Sequence, residues 1–172
     1  NPKYLLISFS GRKRDFNKKN VKLIQSSIKQ EQKKYNFSLV GGDTSSAVSS
    51  SFTVCSIGYS NYIIRRSNCS LNDDIYITGN IGDSSVGLYF LKKKIKSNIK
   101  IKKYFIDKYF KPNLAYGFHR ELYKFANSSM DVSDGLLIDL KKLIGNKKLG
   151  FRINMDFLPC STNFKKLIKD YL

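Results

Sequence analysis

Hydrophobic positions along the chain switch repeatedly between a period of two and a period of three to four, as strands interleaved with helices do. Tyr4-Leu5-Leu6-Ile7-Ser8-Phe9 is an apolar run of strand length and predicts a buried strand ended by Gly11. Val21, Ile24 and Ile28 recur at helical spacing and predict a helix from Asn17 to Tyr35. Phe37 to Val40 predicts a short strand running into Gly41-Gly42-Asp43, and Thr44 to Ser51 a polar connection. Phe52 to Gly58 alternates as a strand, within which Cys55 is expected to be a small core residue.

A polar link follows from Asn61 to Asn72, carrying Arg65-Arg66, and a domain boundary is expected near it. Asp74 to Gly79 predicts another strand. Gly82 then opens a helix carrying Val86, Leu88, Tyr89 and Leu91, with Asp83 as its N-cap. The lysine-rich tract from Lys92 to Lys103 reads as an exposed helix end and loop. Helical patterns span Tyr104 to Phe110 and Leu114 to Phe125, parted by Pro112. A strand is expected to run into Asp131, and a helix to pass through Leu136, Leu137, Leu140, Leu143 and Ile144 until Gly145-Asn146 stops it. Phe151 to Met155 alternates as a strand. Pro159 breaks the pattern before a last amphipathic helix that runs to Leu172. The interleaving predicts an α/β (α+β) fold.

Composition narrows the function classes. With 41% hydrophobic and 26% charged residues, the 172-residue chain is globular rather than disordered. No apolar run approaches the roughly 18 residues of a membrane span, and no signal peptide is evident, so a soluble cytoplasmic protein is expected. A net charge of +18 invites a nucleic-acid reading. Yet 25 of the 31 basic residues are Lys, whereas base and phosphate recognition leans on Arg forks. The charge therefore reads as a solvated surface that could attract a phosphorylated ligand, and a basic nucleic-acid-binding module stays only as an alternative. Cys55, Cys69 and Cys160 are widely spaced with no C-x-x-C pair, which disfavours disulfides and zinc. His119, beside Arg120 and Glu121, reads as a surface or packing residue.

The chemistry concentrates in Asp131-Val132-Ser133-Asp134-Gly135-Leu136 and in Leu39-Val40-Gly41-Gly42-Asp43-Thr44. On an extended backbone Asp131 and Ser133 point to one side, and Asp134 falls where a helix begins. Carboxylates, a hydroxyl and a free helix N-terminus suit magnesium and phosphate. Arg66 could clamp a phosphate oxygen. Taken singly, Asp134 reads more readily as a helix cap, Asp43 as a turn residue and Arg66 as a surface cation.

In combination and in this order, these blocks resemble the thiamine-monophosphate kinase family, within the aminoimidazole-ribonucleotide synthetase-like superfamily. The blocks are Gly41-Gly42-Asp43-Thr44, Arg66-Ser67, Asp73 to Gly79 with Gly82-Asp83-Ser84, and Asp131 to Leu136. The resemblance implies ATP- and magnesium-dependent phosphorylation of thiamine monophosphate to thiamine diphosphate. It implies magnesium at Asp43, Asp131 and Asp134, and ATP contacts from Gly42, Asp43, Arg66 and Ser133. No general base is implied, because the acceptor phosphate is already ionised, so catalysis would rest on alignment and charge neutralisation.

It further implies a two-domain fold present as an incomplete fragment. Residues 1–60 would end an N-terminal ATP-binding and dimerisation domain, and residues 61–172 would form most of the core of a C-terminal α/β domain. The strands Tyr4 to Phe9 and Phe52 to Ile57 would lie at a homodimer interface of the full-length protein. The start at Asn1, almost directly in a strand, reads as the middle of a protein. These residues alone are expected to be inactive. Ser45-Ser46-Ala47, Asn72-Asp73 and Pro112-Asn113-Leu114-Ala115 depart from the family pattern but spare the acidic positions. Another ATP-dependent enzyme of the superfamily is the enzymatic alternative.

Overall fold

The computed structural model describes residues 2–171, which divide between Ile63 and Ile64 into two compact units. The first unit is built on one long strand, β1 (Pro2–Gly11). A single-turn helix at Lys13–Phe16 leads to α1 (Lys18–Tyr35), where the Asn17 side chain accepts from the Asn20 N–H and caps the helix. At the other end Asn36 adopts the left-handed conformation, an ordinary way for a helix to stop. Ile24, Ile28, Gln32 and Tyr35 form the half-buried stripe of α1, while Val21 is exposed.

The strands β2 (Ser38–Gly41) and β3 (Thr44–Ser46) lie end to end along one edge of β1, both parallel to it. Along the other edge β4 (Ser51–Gly58) pairs antiparallel over nearly the whole strand, from Ser10↔Ser51 to Pro2↔Gly58. The expected polar connection from Thr44 to Ser51 thus contains a three-residue strand. Its Thr-Ser-Ser carries no apolar signal, and the open edge of β1 supplies the pairing. Cys55 is exposed rather than in a core, because β4 lies open along its length within this unit.

The second unit holds the core. Helices α2 (Asp83–Leu91), α3 (Ile99–Phe110) and α6 (Thr162–Tyr171) pack Val86, Phe90, Phe105 and Leu167 together, with Phe105 fully buried. The approach of α2 to α3 requires Gly87, since a Cβ there would stand 2.2 Å from the Phe105 carbonyl oxygen. Asp83 is not the N-cap of α2, a place that Gly82 takes at φ +91°. Asp83 is instead a buried acceptor. Tyr104 donates to it at 2.8 Å and Ser161 at 2.7 Å, and Ser161 also accepts the Phe164 N–H at the start of α6. One carboxylate thereby ties together α2, α3 and α6.

Between these helices lie the single turn α4 (His119–Leu122) and α5 (Leu136–Ile144). The helix expected from Leu114 to Phe125 shrinks to that turn, and His119 is exposed. Asp74 to Gly79, the run into Asp131, and Phe151 to Met155 form no strand among the described residues, the last ending in a single-turn helix at Met155–Phe157. An apolar run becomes a strand only when a neighbouring backbone takes up its N–H and C=O groups, and no ladder reaches these segments. No helix among the described residues is long and apolar enough to cross a membrane.

Candidate functional site

In the first unit, Gly42 and Asp43 occupy the break between β2 and β3. The register slips by one residue here: Leu5 pairs with Leu39 but Leu6 with Gly41. The chain then leans against β1, where the Asp43 carbonyl accepts the Phe9 N–H at 2.9 Å. A Cβ on Gly42 would lie 1.9 Å from the Ile7 carbonyl oxygen, so only glycine allows this approach. The Asp43 side chain is exposed at the turn. The glycine thus has a steric reason of its own, whatever ligand lies nearby.

In the second unit the sequence-predicted residues Arg66, Asp131, Ser133 and Asp134 lie on two adjoining loops. The Ser128 hydroxyl donates to the main-chain carbonyls of Arg65 (2.9 Å) and Arg66, which ties the arginine loop to the segment entering Asp131. Asn127 donates to Asp73 at 2.9 Å, and Lys147 donates to the Cys69 carbonyl. So fixed, Arg66 Nη2 comes within 3.7 Å of Asp131 Oδ1, with both side chains about two-thirds exposed. Ser133 is exposed, and the Asp134 carboxylate accepts from Lys142.

The sequence reading missed the residue that organises this loop. Asp139, on the first turn of α5, is 1% exposed and turns its carboxylate back toward the preceding chain. Its Oδ2 accepts three consecutive main-chain N–H groups, from Ser133 (2.9 Å), Asp134 (2.9 Å) and Gly135 (3.1 Å). Its Oδ1 accepts from Lys142 at 2.9 Å. The Lys142 bond, followed by the amides and partly opposed by burial, lowers the Asp139 pKa to about 2. The Lys142 ammonium is in turn held above the ordinary lysine range, first by Asp134 and then by Asp139. A signal was available: an aspartate enclosed by apolar residues in Leu136-Leu137-Ile138-Asp139-Leu140, near a helix start without a capping side chain.

This arrangement corrects one expectation. The N–H groups ahead of α5 are not free to cradle a phosphate, because the chain's own Asp139 fills them. What the loop offers outward is the carboxylates of Asp131 and Asp134 and the hydroxyl of Ser133, flanked by Arg66. That all-oxygen donor set suits magnesium, which binds through one or two carboxylates together with phosphates and water. Among the described residues, no three carboxylate, imidazole or thiol groups of either unit gather closely enough to hold a metal by themselves. The fit is to a metal brought with a phosphate ligand.

The chain as a whole is similar to known proteins. No family model matches the chain. Two curated thiamine-monophosphate kinases from Buchnera aphidicola are similar to it. The protein of the Schizaphis graminum strain is 39% identical over 145 residues, covering 81% of this chain and 44% of its own length. That of the Acyrthosiphon pisum strain is 35% identical over 143 residues, covering 82% and 44%. Among solved structures, thiamine monophosphate kinase from Aquifex aeolicus superposes with a TM-score of 0.89 at 26% identity, over 99% of this chain and 57% of that one. A complex of such a kinase with AMPPCP and TMP matches with the same TM-score and identity, over 99% and 55%. The chain spans about half the length of the curated relatives it matches. Its α/β (α+β) fold is that of the corresponding part of these structures.

Proposed function

We infer that this chain, alike in sequence and fold to the thiamine-monophosphate kinases over the half of them it spans, is part of an ATP- and magnesium-dependent kinase. Its reaction is the phosphorylation of thiamine monophosphate to thiamine diphosphate, a cytoplasmic step of cofactor biosynthesis. The observation that carries this reading is the loop of the second unit, which presents Asp131, Ser133 and Asp134 outward beside Arg66, in a chain 35–39% identical to curated kinases of this specificity. One structure related to this chain is a complex with AMPPCP and TMP, which supports a nucleotide and the thiamine phosphate as the two substrates.

On this reading Asp131, Asp134 and, in the first unit, Asp43 are the magnesium ligands. Gly42, Asp43, Arg66 and Ser133 contact ATP. Magnesium, when bound, neutralises the crowded phosphate oxygens and polarises the transferred group. Arg66 supplies a fixed positive charge and a two-pronged donor for a phosphate oxygen. The acceptor is a phosphate monoester, already anionic near neutral pH, so the chain's task is alignment and charge compensation rather than proton removal. Residues 1–60 are assigned to an N-terminal ATP-binding and dimerisation domain, and residues 61–172 to a C-terminal α/β domain. The full-length protein is assigned as a homodimer, and these 172 residues alone as inactive.

The test is formation of thiamine diphosphate from ATP and thiamine monophosphate by the full-length protein. Asp43→Asn and Asp131→Asn should each abolish magnesium-dependent transfer while circular dichroism stays unchanged. Near-normal turnover in both variants would remove the metal assignment. Turnover with aminoimidazole precursors or selenide, but not with thiamine monophosphate, would select another enzyme of the superfamily.

A further inference from the structure

A loop of three successive N–H groups ahead of a helix is by its nature an anion site. In this chain it is closed from within. We propose that Asp139 is a positioning residue that holds Asp131–Gly135 in the metal-presenting conformation, with Lys142 as its electrostatic partner, and that Asp139 is not itself a metal ligand. The proposal rests on the kinase reading for the identity of the ligand, but its structural half stands on geometry alone.

The geometry argues it in three steps. Asp139 is buried, and both of its oxygens are taken, Oδ2 by the amides of Ser133, Asp134 and Gly135, and Oδ1 by Lys142. Oδ1 keeps a second lone pair, but the residue is 1% exposed and that oxygen already faces the Lys142 ammonium, so it offers no open side to an incoming cation. Gly135 sits at φ +128° and ψ +149°, a region that side chains rarely adopt and glycine reaches freely, which lets the chain turn its three N–H groups onto Asp139. With the N–H groups of residues 133–135 satisfied internally, the loop turns the side-chain oxygens of Asp131, Ser133 and Asp134 outward. Asp139 thereby makes the loop a cation site rather than a phosphate cradle.

Lys142 completes the device. It bridges Asp139 and Asp134, so the position of Asp134 is tied to the residue that shapes the backbone beneath it. Groups that orient metal ligands in this way typically change metal affinity about 10–100-fold when removed.

Two variants separate the contributions. Asp139→Ala removes both the amide acceptor and the Lys142 partner. Asp139→Asn keeps one oxygen that can still accept the three N–H groups while losing the charge. The readouts are hydrogen exchange at the amides of residues 133–135 and binding of Mn2+, as a spectroscopic stand-in for magnesium, by electron paramagnetic resonance on the full-length protein with nucleotide. For Asp139→Ala we expect amide protection to fall at least about 10-fold and the Mn2+ dissociation constant to rise about 10–100-fold. Asp139→Asn should keep the protection within about 3-fold of wild type and recover most of the metal affinity, which a general loss of structure would not allow.

Unchanged protection and Mn2+ affinity in Asp139→Ala overturn the proposal. So does an Asp139→Asn variant as weak as Asp139→Ala in both readouts. A wild-type protein that binds no Mn2+ with nucleotide refutes the kinase-site reading instead, and exchange at residues 133–135 then still decides whether Asp139 holds the loop.

Discussion

Gly41 and Gly42 are adjacent, neither lies in the left-handed region, and their surroundings predict opposite consequences for the same added methyl. A Cβ at Gly41 would meet Leu6 Cδ2 at 3.6 Å, an ordinary contact. A Cβ at Gly42 would stand 1.9 Å from the Ile7 carbonyl oxygen, 2.8 Å from its carbon and 3.2 Å from the Ile7 nitrogen. The obstacle is main chain of the central strand, paired at Ile7↔Val54, and no side-chain rotation relieves it. The turn would have to move by more than 1 Å, on the order of the gap to an ordinary contact, and the bond from Phe9 N–H to the Asp43 carbonyl would be lost. Overpacking of about 1–3 kcal/mol and a hydrogen bond of about 0.5–1.5 kcal/mol together give about 2–4 kcal/mol for Gly42→Ala. That corresponds to a fall in melting temperature of roughly 5–15 °C, whereas Gly41→Ala should stay within about 1 kcal/mol of wild type. Thermal unfolding followed by circular dichroism compares the two directly. Equal melting temperatures for both variants would refute the steric account and leave a ligand contact as the reason for glycine at position 42.

Three further outcomes follow from the same structure. Phe105→Ala, at the fully buried centre of the helical core, should lose about 3–5 kcal/mol in denaturant unfolding. Asp83→Ala strips the acceptor from the Tyr104 and Ser161 hydroxyls and should cost about 2–4 kcal/mol, with Asp83→Asn costing less because its amide oxygen still accepts one of them. Asp15 has its pKa lowered to about 2, chiefly by the Arg12 guanidinium and then by the Ser50 hydroxyl. A folded-state pKa below the ordinary 3.8 contributes stability that is complete above that value and is lost as pH falls through about 2. The melting-temperature gap between wild type and Asp15→Asn should therefore close on going from about pH 5 to pH 2, and a constant gap would refute it.

The parts of the fold legible in sequence are those whose signal is local. The helix α1 carried its own cap in Asn17 and its own stripe in Ile24 and Ile28, and α5 carried Gly145 as a stop. Strands failed where their signal depends on a neighbour. Asp74 to Gly79 is as strand-like in composition as β1, yet without a ladder partner it stays irregular, with Tyr76 81% exposed. The polar β3 shows the converse, a strand made by its neighbour alone. The candidate residues Asp43, Arg66, Asp131, Ser133 and Asp134 stood out only through the order of the blocks that carry them, since each taken singly reads as a turn residue, a cap or a surface cation. Asp139 left only the weaker signal of an acid enclosed by apolar residues, and Asp83 read as a cap, because the donors that define a buried acid come from other turns and other helices.

Those two classes of aspartate also explain how so basic a chain can keep acidic groups available. With 31 basic and 13 acidic residues, cations are close at hand for exposed carboxylates, and Asp131 pairs with Arg66 and Asp134 with Lys142. Such partners do not close the site. An exposed pair at 3.7 Å, like Arg66 with Asp131, is worth about 0–1 kcal/mol, far less than a divalent cation gains from a carboxylate and a triphosphate together. On the proposed reading, Arg66 released from Asp131 would turn to the ligand's phosphate oxygens, a shift of partner within the same loop. The buried acids cannot be exchanged in this way. Asp139 is bound by three main-chain donors and Asp83 by two hydroxyls, so on the proposed reading the surface pairs would rearrange around a ligand while the backbone of residues 133–135 stays fixed.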